Sequence, residues 1–424
     1  MQAVNILIKN IKQLIQVSET SALVKGAAMK QLPIIEDAWL AIEGDKIIGF
    51  GEMSSFPGIS NWKDLQVIDA DGRVVGPSWI DSHTHLVYAG TRQSEFVDRI
   101  KGLSYEEIAA KGGGIINSAL KLRETSEDEL YEQASNRLLE LIQLGTGAIE
   151  IKSGYGLDLE SELKILKVVK RLKENFNLPI KASLLAAHAV PLEFKGDADK
   201  YIAYVCEEIL PAAKAKDLLD YVDIFCERNY FSAEHTAQLL EAAKALGVKA
   251  KIHVNQFSSI GGVQVACEHG ALSVDHLEVL EEHDIESLKN SDCIPVALPG
   301  CSFFISIPYT PARKLIDVGL GLALASDYNP GSSPSGNMNL VNALACIKMN
   351  MSPEEVVNAS TINAACALEL SDELGSIAVG KKANLFVTKK IPDYSFMMYS
   401  YGQHYLDQII LNGEIQKQNG QTTD

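Results

Sequence analysis

Eight short apolar runs alternate with amphipathic stretches between about residues 76 and 328, and hairpin-like strand patterns occupy both chain ends; together they predict an α/β fold. The expected architecture is a (β/α)8 TIM-type barrel with a small β domain formed from both chain termini. A third observation agrees: the polar residues that break the apolar runs do so at the runs' carboxyl ends, where such barrels carry their chemistry.

Taken in order, VNILIKNI, AWLAIEGDKIIGFG and LQVIDADGRVV are β-rich runs punctuated by Gly-Asp and Asp-Gly turns, the pattern of hairpins in a small sheet. GSIAVGKKANLFVTK and QHYLDQIILNGEIQ repeat it near the C-terminus. Residues 1–77 and 374–424 are therefore expected to form one sandwich-like β unit, leaving 78–373 for the barrel. The eight barrel strands are expected in VVGPSWIDSH, GAIEIKSG, IKASLLAAH, YVDIFCE, VKAKIHVN, ALSVDHL, CIPVALP and GLALASD. These runs are too apolar to face water on either side, as a parallel sheet covered by helices requires. A doubly wound open sheet is the alternative. Between the runs, SEDELYEQASNRLLELIQLG and SAEHTAQLLEAAKALG each open on a serine cap and close on glycine, as helices do.

The chain has 424 residues, 46% of them hydrophobic, enough for a large core. Its 38 basic and 55 acidic residues give a net charge of −17, which argues against nucleic acid or an anionic membrane surface as partner. An anionic substrate would need a locally positive site. The seven cysteines, Cys206, Cys226, Cys267, Cys293, Cys301, Cys346 and Cys366, contain no CxxC pair and read as reduced residues of a cytoplasmic protein. Lysines interrupt the first apolar stretch, so no signal peptide is expected, and no run reaches the length of a membrane span.

In DSHTH, His83 and His85 stand two apart at the end of the first barrel strand, so both imidazoles leave the same face, toward the barrel mouth. His253, His276 and Asp327 occupy the ends of the fifth, sixth and eighth strands. Three histidines and a carboxylate suit zinc or iron. A lone HxH is weak evidence, because buried histidines often only complete core hydrogen bonds; the ordered set is much stronger. Asn329, Gly331 and Ser332 form a turn beyond Asp327, placed to offer donors to an anionic group.

The order HxH, His, His, Asp over eight strands is similar to that of the amidohydrolase superfamily. The longer segments HTHLVYAGTRQSEFVDRIKGLSYEEIAAKGGGI, EIKSGYGLDLESELKIL, AAHAVPLEF, DIFCE and SDYNPGSSPSGNM resemble its imidazolonepropionase family, over the whole barrel and both flanking β segments. The resemblance implies a metal-dependent hydrolase that opens 4-imidazolone-5-propanoate to N-formimidoyl-L-glutamate in histidine breakdown. It implies that His83, His85, His253 and Asp327 hold one metal ion, zinc or iron, in each subunit of a homodimer, with His276 nearby but not a ligand. Asp327 would carry the proton from water to the leaving nitrogen, with His276 orienting or sharing it. Arg92, Tyr105, Tyr155, His188 and Gln256 match positions around the substrate. A glutamine at 256 cannot act as a base, so it is assigned to binding only.

Plainer readings stand beside some of these. Without the resemblance, Arg92 reads as a surface arginine. The KGGGI glycines are followed by neither a P-loop lysine nor Rossmann spacing and read as a turn or mobile lid. Lys152 is not placed where a carboxylated lysine bridging two metals is expected and reads as structural or electrostatic. Two other functions use the same features: deamination of an aminopyrimidine or purine, disfavoured by an anion-binding Arg92, and a barrel without catalysis, disfavoured by the complete ligand set.

Overall fold

The structure is a computed structural model that describes residues 5–59, 65–103, 107 and 113–416. Five strands open the chain: β1 (Asn5–Ile15), β2 (Ile34–Glu43), β3 (Lys46–Glu52), β4 (Leu65–Asp69) and β5 (Arg73–Pro77). Eight short ones follow: β6 (Trp79–Asp81), β7 (Thr146–Lys152), β8 (Ile180–Ala187), β9 (Tyr221–Cys226), β10 (Lys249–Val254), β11 (Ser273–His276), β12 (Ile294–Ala297) and β13 (Ala323–Leu324). β14 (Leu385–Lys390), β15 (Leu406–Leu411) and β16 (Glu414–Ile415) close the described chain.

The first five and last three strands build one mixed sheet in the order β16-β15-β14-β5-β1-β2-β3, with β4 also on β1. The two chain ends meet where β14 pairs antiparallel with β5. β6 to β13 form the second sheet in sequence order, every pair parallel. Its seam closes beyond the first and last strands, where Thr84 bridges Tyr328. There Asp327 N donates to His83 O (3.0 Å) and His85 N to Tyr328 O (2.9 Å). Barrel closure thus brings together the two segments richest in candidate ligands.

The run VVGPSWIDSH, expected as one strand, divides at Ser78. Its first half completes the mixed sheet, and Trp79 starts the barrel with a bond from its N–H to Gly145 O (2.9 Å). Both expected helix boundaries are observed: Ser126 caps Glu127–Gln143, and Ser232 caps Ala233–Ala245. Gly145, which turns the first of these helices into β7, has φ +97° and passes so close to Leu406 that a Cβ would lie 2.5 Å from its Cδ1. No other residue type fits there without displacement.

Period-two alternation sorts the barrel interior into layers. Along β9, Tyr221 joins Ile80, Ala148 and Ile294 in an apolar floor, Asp223 lies in a layer of charge with Glu150 and Lys152, and Phe225 lines the cavity above. No helix among the described residues is long and apolar enough to cross a membrane.

Candidate metal centre and active site

Four of the predicted ligands converge. Asp327 Oδ1 is 3.5 Å from His83 Nε2 and 3.4 Å from His85 Nε2, and His85 Nε2 is 3.3 Å from His253 Nε2. Ligand atoms about 2.0–2.1 Å from a tetrahedral ion stand roughly 3.3–3.4 Å apart, so these three spacings are of the size that shared coordination of a divalent ion requires, and His83, His85 and Asp327 form one close group. His83 Nε2 is buried and, apart from the long contact to Asp327 Oδ1, meets no protein hydrogen-bond partner, which suits an electron-pair donor to a metal ion. His276 belongs to a second close group with His83 and His253, within 4.8 Å.

The imidazoles are aimed by groups the sequence did not single out. Asp275 Oδ2 lies 2.6 Å from His83 Nδ1, and Asp223 Oδ2 lies 2.9 Å from His253 Nδ1. A carboxylate accepting from Nδ1–H leaves the Nε2 lone pair free to ligate. His85 is held differently, stacked on His188 with centroids 5.4 Å apart and planes 20° off parallel. His276 Nδ1 is 3.3 Å from Glu278 Oε1, which also accepts from Ser302 Oγ at 3.1 Å.

Electrostatics follow from this packing. Burial and the Lys152 ammonium push His83 down, but hydrogen bonds to Asp275 and Asp327 prevail and raise its pKa to about 9. Burial lowers His85, carries His253 well below the ordinary histidine range, and takes His188 to about 3. Burial alone would raise Asp327; its bonds from His83 and His85 instead hold it well below the usual carboxylate range. Backbone strain gathers here too: Asn255, His276, Leu277 and Asp327 have φ of +56°, +88°, +66° and +56°. Such conformations cost about 1–3 kcal/mol each and cluster at functional sites.

Above the four converging atoms opens a cavity of about 440 Å³. Arg92, Tyr155, His188, Gln256, Asn329, Gly331 and Ser332 all line it, with His85, His253, His276 and Asp327. Tyr105 lies outside the described residues. Arg92 donates from Nε and Nη2 to Glu95 Oε2 (3.0 and 2.5 Å), so its guanidinium is held inside the cavity wall and is no free surface group. Gln256 Nε2 donates to Cys301 Sγ at 3.3 Å. In the turn after Asp327 the Gly331 and Ser332 N–H groups both donate to Asn329 Oδ1 at 2.8 Å, so these two backbone donors are engaged within the turn.

The amidohydrolase family model matches residues 74–415. An imidazolonepropionase from Christiangramia forsetii is 57% identical over 411 residues, covering 97% of this chain and 99% of that protein. The chain belongs to the imidazolonepropionase family of amidohydrolases. Among solved structures, Escherichia coli guanine deaminase superposes with a TM-score of 0.74 at 14% identity, covering 98% of this chain and 99% of that one. An adenosine deaminase from Xanthomonas campestris with bound zinc gives 0.68 at 15% identity, covering 97% and 92%. At such identities the likeness speaks for the fold.

In this amidohydrolase, sequence reasoning missed a second arginine in the cavity. Arg99 Nη2 donates to Gly331 O at 3.3 Å, and Arg99 lies over the Phe304 ring at 5.6 Å. Its signal was the helical spacing, seven residues beyond Arg92 on the segment Gln93–Ile100 that Arg92 caps. Asp275 and Asp223 could have been found as carboxylates in the same strand-end motifs, VDH and VDIF, that carry the site.

Proposed function

We propose that the chain adds water across a C–N bond of 4-imidazolone-5-propanoate and opens its ring to N-formimidoyl-L-glutamate, with His83, His85, His253 and Asp327 holding one zinc or iron ion. The observation that carries this reading is the convergence of three Nε2 atoms and Asp327 Oδ1 beside a cavity that also holds Arg92 and Arg99. The kinship supplies the substrate.

When bound, the ion lowers the pKa of a water molecule to near neutrality, so that the nucleophile exists at neutral pH. Asp327 takes the proton of the attacking water and returns it to the leaving ring nitrogen. Ser332 Oγ, 3.4 Å from Asp327 Oδ2, steadies the carboxylate for that transfer. His276, held by Glu278, orients or shares the same proton. Arg92 and Tyr155 hold the propionate or the ring oxygen, and His188, kept neutral by burial, hydrogen-bonds the ring. Gln256 both donates to and accepts from the imidazolone edge and carries no proton. Homodimerisation and a cytoplasmic location belong to the same proposal and rest on the kinship; light scattering of the purified protein tests the first.

The test gives the metal-replete protein freshly prepared imidazolonepropionate and follows ring absorbance together with a product one water heavier. Rapid conversion that a chelator stops is the expected result. No conversion by protein shown to contain metal sinks the substrate assignment and turns attention to deamination of a related heterocycle.

A further inference from the structure

Beneath the converging ligands lies a layer of buried charge that the reaction as described leaves unused. The Lys152 side chain has no exposed surface, and its Nζ lies 2.7 Å from Glu150 Oε1, 2.8 Å from Asp223 Oδ2 and 3.6 Å from Asp275 Oδ2. The last two oxygens are the same atoms that stand 2.9 Å from His253 Nδ1 and 2.6 Å from His83 Nδ1. One cation therefore touches both carboxylates that aim two imidazoles. We propose that Lys152 is a positioning residue for the metal centre, the common anchor of Asp223 and Asp275 through which His253 and His83 keep their Nε2 lone pairs aimed at one point. The inference rests on the ligand set proposed above.

The backbone fixes the ammonium relative to the ligands. Lys152 N donates to Thr84 O at 2.8 Å, and Thr84 Oγ1 donates to Glu150 O at 2.6 Å, so the end of β7 is tied to the residue between His83 and His85. The second buried lysine, Lys251, adds its charge to the same layer: against the upward push of burial, it and Lys152 hold the Asp275 carboxyl well below the usual carboxylate range, but its own ion pair is elsewhere. Lys251 Nζ pairs with Glu150 Oε2 at 3.0 Å and donates to the carbonyls of Ser82 and Ala367, holding Glu150 from its other side. Two carboxylates facing one dry layer repel unless a cation stands between them, and Lys152 is placed there. The Oδ1 atoms have their own partners, the N–H groups of Ile224 and His253 on Asp223 and the Ser273 hydroxyl on Asp275. The Oδ2 atoms that face the imidazoles share the Lys152 ammonium, so without it those oxygens lose their common counter-charge and the hydrogen bonds that select the histidine tautomers weaken.

The test uses the full chain as wild type, Lys152→Met, Asp275→Asn and the double variant, each titrated with zinc against a competing chelator, with cobalt-substituted absorption spectra as a second readout. Lys152→Met is expected to keep its circular dichroism, bind zinc about 10–100-fold more weakly and show an altered cobalt spectrum. Binding within about twofold of wild type with an unchanged spectrum overturns the proposal, since loss of outer-shell support costs roughly tenfold or more. If Lys152→Met does not fold, the double variant decides, because it removes one buried charge of each sign. It is expected to bind zinc roughly tenfold more weakly than Asp275→Asn alone, because Asp223 has also lost its anchor; equal affinity overturns the proposal. His83→Ala in the same series reports on the centre itself: full zinc affinity there sinks the ligand set, a result distinct from full affinity in Lys152→Met.

Discussion

A Cβ built on Gly331 would lie 2.2 Å from Nη1 of Arg92, so the absence of a side chain at 331 is what lets the guanidinium occupy its place in the cavity. Gly331→Ala must push the end of the Arg92 side chain aside, a shift a flexible side chain can make at little cost to the fold but one that moves the guanidinium from its place. Arg92 is assigned to binding, so the expected result is a KM raised roughly tenfold with kcat little changed, measured by steady-state kinetics. A fall in kcat at unchanged KM would place Arg92 in the chemical step instead.

Asp327 is assigned the proton. Asp327→Asn keeps the side chain's shape but cannot accept a proton, and at saturating metal its kcat is expected to drop by roughly 10²–10⁴. Elemental analysis of the same sample separates loss of proton transfer from loss of the ion. Near-normal turnover would sink the assignment.

Stripping the metal should destabilise as well as inactivate. An ion that binds only the folded chain adds about 4 kcal/mol at a concentration a thousandfold above its dissociation constant. Calorimetry is expected to show a lower unfolding midpoint after chelation, restored together with activity by zinc or iron. A midpoint and a turnover that ignore the chelator would falsify the centre.

Away from the site, Cys267 offers a pH-dependent readout of local packing. A hydrogen bond from Cys293 outweighs burial and, with Ser291 Oγ 3.3 Å away, lowers the Cys267 thiol to about 7. Thiolate is the reactive form and prevails above the pKa, so alkylation of Cys267 should rise with pH through a midpoint near 7. In Cys293→Ala the midpoint should move upward, which peptide mass spectrometry after timed labelling measures. Identical profiles for the two proteins would contradict the hydrogen bond.

Much of this was legible in the chain. The eight apolar runs gave eight parallel strands because strand length and burial on both faces leave a local trace, and the serine caps at 126 and 232 act within one helical turn. The split of VVGPSWIDSH at Ser78 left no such trace, since both halves are equally apolar and only their distant partners, β14 for one and β7 for the other, distinguish them.

The sequence by itself placed His83 and His85 two apart just past the end of the first barrel strand, a spacing at which the alternate side chains of an extended chain turn the same way. It also placed His253, His276 and Asp327 at strand ends. Closure of the barrel decided the rest. It brought Asp327 within 3.5 Å of His83 across 244 residues of chain, and it turned Lys152 from a lone lysine in a strand into the cation between Asp223 and Asp275. Distances of that kind depend on register and shear between strands remote in sequence, and no local pattern of residue types records them.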